Sequence, residues 1–479
     1  MLLVPILIGL LAFLSAGRIQ GEELADDAGH NAALSFYLST QGEFSGDGIS
    51  PTYMREPLPI AVTAAHMALF TDISESTGME QLKADPYYTG QMLQVNLYYA
   101  VGLFFSLWWL AWLLTRSHVV AALTIFGAWL SFTLIGRNLS SLLTESPAAL
   151  TLALASAAAV WLVQTTKWTA AILTGVSFGA LALTKAAALY VALVTMPLLA
   201  AFLVMCGLAS WRRALAILGG TVLAFALTVT PWMTRNYLLF DDFAIAQRGG
   251  AVLLARALKD QMTMEEYKGA FYVYAPAAVK RHVFERFLGF EKEDVQPGGR
   301  YLRLMRGQPG DIEAAAAGDP ARAISFFGKA GALGTLWTKE LMDLGKPRHE
   351  VDRVQEQKAM EMIKAAPGRH LALTLPFAWR GLWSFGGAAR SGVQYLFVAL
   401  ANLVSFSIFL AFPLVAVWRR KPDWLAFSLL GFGLFWFHAL LTHFIPRYSQ
   451  PLIPLAVLSV LVLLHALFVR RPERSRTTA

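Results

Sequence analysis

Cysteine is almost absent from this chain: one residue in 479, Cys206, and it sits inside an apolar run. A single thiol excludes an intramolecular disulfide and any cysteine-based metal cluster, so Cys206 is read as a small core residue. Charge is also scarce. Asp, Glu, Lys and Arg make up 15% of the sequence, against about a quarter in soluble domains. A glycine-rich phosphate loop and a Gly-x-Ser-x-Gly elbow are both missing, which leaves direct nucleotide hydrolysis and serine hydrolysis unsupported. No repeat, low-complexity tract or diagnostic metal-ligand spacing is present. What the chain has instead is apolar surface, 56% hydrophobic and 12% aromatic residues, in repeated runs of about twenty residues that mark an all-α polytopic membrane protein. The net charge of +8 falls in short Lys and Arg clusters between those runs and in the tail RRPERSR. That is the positive-inside pattern of a membrane protein, not the basic stripe of a nucleic-acid binder.

The opening run MLLVPILIGLLAFLSAG lacks a basic leader and is taken as the first span, not as a cleaved signal. A polar loop follows, Gly21 to Pro59, and then IAVTAAHMALF, too short to cross and so interfacial or re-entrant. His66 within it is read as a packed histidine. Further spans are expected at Val95–Thr115, Val119–Gly136, Pro147–Thr165, Trp168–Thr184, Ala186–Gly207, Ala214–Pro231, Tyr395–Trp418, Trp424–Thr442 and Pro451–Val469, about ten in all with the first. With a cytoplasmic N-terminus, the connections holding Arg116, Lys167, Arg212 with Arg213, and Arg419 to Lys421, together with the basic tail, all fall inside. The expected division is therefore residues 1–235 as an N-terminal membrane module with a catalytic first outer loop (17–91), 236–394 as a mainly helical extracytoplasmic lobe, and 395–479 as C-terminal spans and cytoplasmic tail. Glu350 to Lys364 has a helical pattern, and LALTLPFAWRGLWSF reads as an aromatic return into the interface.

Polar residues that interrupt this greasy frame collect at its outer boundary: Asp26 and Asp27, Arg55 and Glu56, Arg137 and Glu145, Lys185, Arg235, and His443, Arg447 and Tyr448. Charges kept at a bilayer edge are costly and mark function more often than structure. Carboxylates accept protons while Arg and Lys hold phosphate, so the combination suits a phosphate-bearing lipid substrate. Each member also has a plain structural explanation. Asp26 and Asp27 favour a helix N-terminus, as does Glu145 before Pro147. Arg137 and Arg235 serve as interface anchors, Lys185 snorkels, and HFIPRY is a polar turn with Tyr448 in the aromatic belt. Asp26, Asp27, Glu56 and Glu145 would share a divalent cation only if they met in space, which their spacing does not establish.

The order of these landmarks resembles the GT-C fold membrane glycosyltransferases that include protein O-mannosyltransferases and lipid A aminoarabinose transferases. ADDAGHNAALSFYLSTQGEFS is similar to that family's acidic segment after the first span, with Asp27 where a Glu is usual. YMREPLP is similar to its basic residue before prolines, with Arg55 in the basic place and Glu56 where a proline is more usual. NLSSLLTESPAAL, GALALTK, PWMTRNYLLFDDF and HFIPRYSQPLIPL resemble later signatures, whereas the insert Ala244 to Gly368 matches nothing. The resemblance implies inverting transfer of a sugar from a polyprenyl phosphate carrier to a glycan, lipid or protein acceptor at the outer face of a bacterial inner membrane. It implies donor-phosphate contacts from Arg55, Lys185, Arg447 and Tyr448, and catalytic acids Asp26, Asp27 and Glu145, with Asp26 the first choice of base and Glu145 the second. Glu56, Arg137, Arg235 and His443 complete the candidates, and the Asp27 and Glu56 departures leave metal use open. Other readings are a lipid-linked substrate transporter or flippase, an O-antigen ligase or polymerase, and a noncatalytic scaffold.

Overall fold

A computed structural model describes residues 3–131, 135–346, 350–384 and 391–468. The basic tail lies outside these. Regular structure among the described residues is helical, apart from an isolated bridge between Ser45 and Pro51. In chain order the helices of the first half are α1 (Leu3–Ala16), α2 (Asp26–Gln41), α3 (Pro57–Phe70), α4 (Met79–Ala84), α5 (Pro86–Leu93), α6 (Val95–Thr115), α7 (His118–Trp129), α8 (Glu145–Thr165), α9 (Trp168–Ala182), α10 (Ala187–Met205) and α11 (Trp211–Phe240). A run of shorter helices follows, and then the long helices Val393–Trp418, Pro422–Leu441 and Ile453–Phe468.

Seven of these segments are long and apolar enough to cross a membrane: Pro86–Thr115, Glu145–Thr165, Ala187–Met205, Trp211–Phe240, Val393–Trp418, Pro422–Leu441 and Pro446–Phe468. Four shorter apolar helices accompany them, Leu3–Ala16, Pro57–Phe70, His118–Leu130 and Trp168–Ala182. The runs expected as spans thus resolve into the seven long segments and three of the shorter ones, while Pro57–Phe70 is the run too short to cross. The chain is a multi-pass membrane protein. Two of its expected boundaries move. The helix after Arg116 ends at Trp129 rather than running to Gly136, and α11 continues through Pro231 to Phe240, because within a bundle a proline's lost hydrogen bond is made good by neighbours.

Helix α8 forms the axis of the bundle. Its sequence ESPAALTLALASAAAVWLVQT is rich in alanine, and small side chains let α6, α9 and Pro422–Leu441 pack closely around it. The α9–α11 seam depends on glycine: a Cβ on Gly175 would meet the Thr221 carbonyl oxygen at 2.3 Å, and one on Gly179 would meet Thr228 at 2.6 Å. The two glycines are four residues apart on one face, so the backbones approach as closely as a methyl-free stripe allows.

The short helices between α11 and Val393 pack among themselves around aromatic side chains. Gly249–Ala257 lies against Glu350–Ala365, Pro309–Ala317 against Phe326–Asp343, and Thr374–Leu382 against Pro422–Leu441. A buried ionic knot pins this region. Asp260 accepts from Arg256 at 2.8 Å and meets His370 Nδ1 at 2.7 Å, while Arg256 also donates to the His370 carbonyl at 2.9 Å.

Candidate functional site

Three junctions bring the polar residues to one end of the bundle. The first lies where α9 gives way to α10: Leu58 N donates to the Leu183 carbonyl at 3.1 Å, and Glu56 Oε1 accepts from Ala186 N at 3.2 Å. This seats the start of α3 on the break that carries Lys185, so Arg55 and Lys185 arrive together. The second lies at the end of α11, where Gln247 N donates to the Tyr53 carbonyl at 2.9 Å and Tyr53 Oη donates to Asp242 at 2.7 Å, which carries Arg248 to the same place. The third is the 3-10 turn Pro446–Leu452, packed on α8 and held by Asn138, whose side chain reaches Gln450 at 3.5 Å.

Asp27 and Glu145 sit at the meeting point, with Arg447 between them. Asp27 is paired with Arg55, with Arg447 Nη2 at 2.8 Å and with Arg248 Nη1 at 3.3 Å. Glu145 is fully buried; its Oε1 lies 3.0 Å from Arg447 Nε and 3.3 Å from Lys185 Nζ. The Arg447 Nε contact has ion-pair distance without hydrogen-bond alignment, so Arg447 Nε and Glu145 Oε2 both lack a hydrogen-bond partner among the described residues. Four cations therefore face two carboxylates. Burial alone would raise the Asp27 carboxyl, but the Arg55 hydrogen bond and charge, with Arg447 and Arg248 behind them, outweigh it and hold it well below the ordinary carboxylate range. Lys185 also lies 5.8 Å from the Tyr448 ring.

Asp26 is placed differently. It is exposed, makes no ion pair among the described residues, and has a backbone φ of +48°, a left-handed conformation that turns it away from its neighbour. It lines an open cleft of about 370 Å³ with His30 and Lys83. Neither acid caps α2, whose N-cap is Ala25 with no side-chain hydrogen bond. Glu56 holds a backbone N–H rather than a substrate-facing position. Arg137 is exposed and outside the ion pairs. Arg235 is structural: it donates to the Thr52 carbonyl at 3.0 Å and stacks on Trp232 at 4.7 Å. His443 is buried beside Tyr448, ring centroids 5.6 Å apart.

Several contributors escaped the sequence reading. Arg248 lies in the insert that matched no motif. His30, one turn beyond Asp27, has an Nε2 with no hydrogen-bond partner among the described residues, and burial, then the charges of Arg55 and Arg248, push its pKa down. Among the described residues no three His, Cys, Asp or Glu gather as a metal-ligand set. The four acids that would share a cation only on meeting do not converge: Arg447 separates Asp27 from Glu145, Glu56 caps α10, and Asp26 faces another cleft. This donor set does not fit a divalent ion.

No family model matches the chain, and no curated protein matches it by sequence. Among solved structures it is similar to the archaeal oligosaccharyltransferase AglB from Archaeoglobus fulgidus in complex with an inhibitory peptide and a dolichol-phosphate, at 10% identity and a TM-score of 0.47, over 96% of this chain and 50% of that one. It spans half the length of that protein. It is also similar to ArnT from Cupriavidus metallidurans, bound to undecaprenyl phosphate (13% identity, TM-score 0.38, 96% of this chain and 77% of that one) and in the apo state (13%, 0.36, 96% and 76%).

Proposed function

We propose that this protein is a membrane glycosyltransferase whose donor is a sugar linked to a polyprenyl phosphate, and that transfer occurs where Asp27, Glu145 and their four cations meet. The observation that carries this reading is the excess of cation over carboxylate around Arg447, at the end of apolar helices. An anion with a long apolar tail satisfies both features: its phosphate balances the guanidinium and ammonium groups, and its tail lies along the bundle.

The ion pairs suggest a sequence of events. Arriving phosphate takes hydrogen bonds from Arg55, Arg248 and Arg447 that Asp27 holds in its absence. Released from these donors, the Asp27 carboxylate regains basicity and accepts the proton of the acceptor hydroxyl. The acceptor oxygen bonds to the anomeric carbon as the carbon–oxygen bond to phosphate breaks, and the electron pair leaves with the polyprenyl phosphate, which the cations stabilise. A single displacement inverts the anomeric configuration. Glu145, buried, hydrogen-bonded to Lys185 and ion-paired with Arg447, keeps both cations aimed at the phosphate. The division into an N-terminal membrane module, a lobe and C-terminal spans belongs to this proposal, with the site on the extracytoplasmic side.

The test is transfer from a labelled undecaprenyl phosphate sugar by the purified protein, with undecaprenyl phosphate binding measured in parallel. Asp27→Asn is expected to abolish transfer and retain binding. Full transfer by that variant removes Asp27 from the base role, and an absence of undecaprenyl phosphate binding in the native chain removes the donor class.

A further inference from the structure

A second group of cations lies in the region between α11 and Val393, and no carboxylate among the described residues balances it. Lys259 is buried, 3% exposed, and its Nζ makes no hydrogen bond or ion pair among the described residues; it lies over the Phe377 ring at 5.2 Å. Arg380 donates to the His443 carbonyl at 3.0 Å and lies over the Tyr274 ring at 4.5 Å. Arg306 lies over the Phe327 ring at 3.6 Å, and Phe327 in turn faces His443 at 6.1 Å. Tyr274 and Phe377 are 5.7 Å apart, which closes the ring of contacts from Lys259 through Arg380 and His443 to Arg306.

The acids nearby are already committed. Asp260 serves Arg256 and His370, and Glu266 takes Arg303 at 3.4 Å and the Thr263 N–H at 2.8 Å. Two further polar groups in the cluster are buried: among the described residues Tyr274 Oη and His443 Nδ1 have no hydrogen-bond partner. Buried donors without acceptors cost free energy, and three cations packed together cost more. The cost is visible in Lys259, whose ammonium burial, with Arg380 and Arg306 adding to it, drives well below the ordinary lysine value. The same charges, after burial, push His443 far down. Arg306 is exposed, and His443, whose carbonyl accepts from Arg380, lies 5.6 Å from the Tyr448 ring, itself 5.8 Å from Lys185, so the cluster adjoins the ion-pair centre.

We propose that Lys259, Arg306 and Arg380, with the Tyr274 hydroxyl, form a second oxyanion subsite, which takes a phosphate or carboxylate group of a substrate bound next to the Asp27–Glu145 centre. This rests on the proposed function for what the substrate is, but not for the site's ability to hold an anion. Its chemistry has two sources. The donor brings a second negative group if its sugar is carried on a diphosphate, or the acceptor is itself acidic.

The test uses the full chain in nanodiscs and reads the thermal midpoint in inorganic phosphate against chloride at equal ionic strength. The native chain is expected to gain roughly 3 °C in saturating phosphate. Arg306→Gln, an exposed position that leaves the fold alone, is expected to lose that gain, and so is Lys259→Met, which should also melt higher in chloride because it removes the buried ammonium. A gain retained in both variants, or absent from the native chain, overturns the subsite. Repeating the titration after loading undecaprenyl phosphate or undecaprenyl diphosphate identifies the source. A response that survives the first lipid and vanishes with the second assigns the subsite to the donor's second phosphate, and one that survives both assigns it to the acceptor. A response abolished by undecaprenyl phosphate alone means that free phosphate was reading the Arg447 centre, and it overturns the proposal. If neither lipid binds while Arg306→Gln still removes the phosphate response, the donor reading fails and the subsite stands.

Discussion

The two cationic regions of this protein differ in how their charge is balanced. At the end of the bundle, Arg55, Arg248, Arg447 and Lys185 are interleaved with Asp27 and Glu145, and every cation has a carboxylate within 3.3 Å. Between α11 and Val393, Lys259, Arg306 and Arg380 have aromatic faces and a backbone carbonyl but no acid among the described residues. Interleaved charges can exchange partners, so an incoming phosphate replaces one anion by another and frees a carboxylate to act. An unbalanced cluster has no carboxylate to release. Its contribution is confined to binding, and the comparison separates a centre that moves a proton from one that only holds charge.

Removing the exchangeable acid should have the largest effect. Asp27→Asn is expected to lower transfer about a thousandfold, within the range seen when a positioned proton acceptor is lost, whereas Arg306→Gln should change substrate affinity and leave turnover at saturation intact. Single-turnover rates at saturating donor check this. Equal losses of turnover in the two variants would break the distinction between the regions.

Arg447 bridges both acids, so Arg447→Ala should disturb binding and stability together. Loss of charge-assisted hydrogen bonds to phosphate predicts donor binding weaker by roughly a hundredfold, about 2.7 kcal/mol. Because Glu145 has no exposure to water, leaving it without this partner should also cost about 3 kcal/mol of stability. The paired variant Arg447→Ala with Glu145→Gln should recover much of the stability and none of the binding. Thermal unfolding and lipid-binding titration read the two separately.

Acid titration sharpens the same contrast. Asp27 has its folded-state pKa lowered, so its ion pairs contribute in full above the unfolded value near 4 and are lost as pH falls below it. The native chain should therefore lose thermal stability more steeply than Asp27→Asn below about pH 4, and the two curves should run parallel from pH 5 to 7. A divergence near neutral pH would place the stabilising charge elsewhere.

Much of the first centre was readable before any coordinates. Lys185 interrupts an apolar run, and Asp27, Arg55, Glu145 and Arg447 fall in the polar segments between such runs, where a charge at the bilayer edge stands out because lipid offers it no partner. Their bulky apolar neighbours also fix the helices that carry them. The second cluster was invisible for the converse reason. Lys259, Arg306 and Arg380 lie in a segment of mixed charge, where a cation has the same local signature whether it faces water or a closed aromatic pocket. Arg256 and Asp260, four residues apart and so on one helix face, were the available signal, and they identify only the knot beneath the cluster. Arg248 is a similar case: it reaches Asp27 through the Tyr53–Gln247 backbone contact, which links residues nearly two hundred positions apart.

The smallest expected effect is the most discriminating between neighbours. Asp26 and Asp27 are adjacent in sequence and chemically identical, and only the left-handed turn at Asp26 separates them. That turn aims Asp27 at three guanidinium groups and leaves Asp26 at an open cleft with Lys83. An exposed carboxylate with no partner contributes within about 0.5 kcal/mol, so Asp26→Asn should alter transfer by roughly twofold or less. A loss of a hundredfold in Asp26→Asn, with Asp27→Asn nearly normal, would mean that the acceptor enters through the Asp26 cleft and that the arginine-bound acid is only scaffolding.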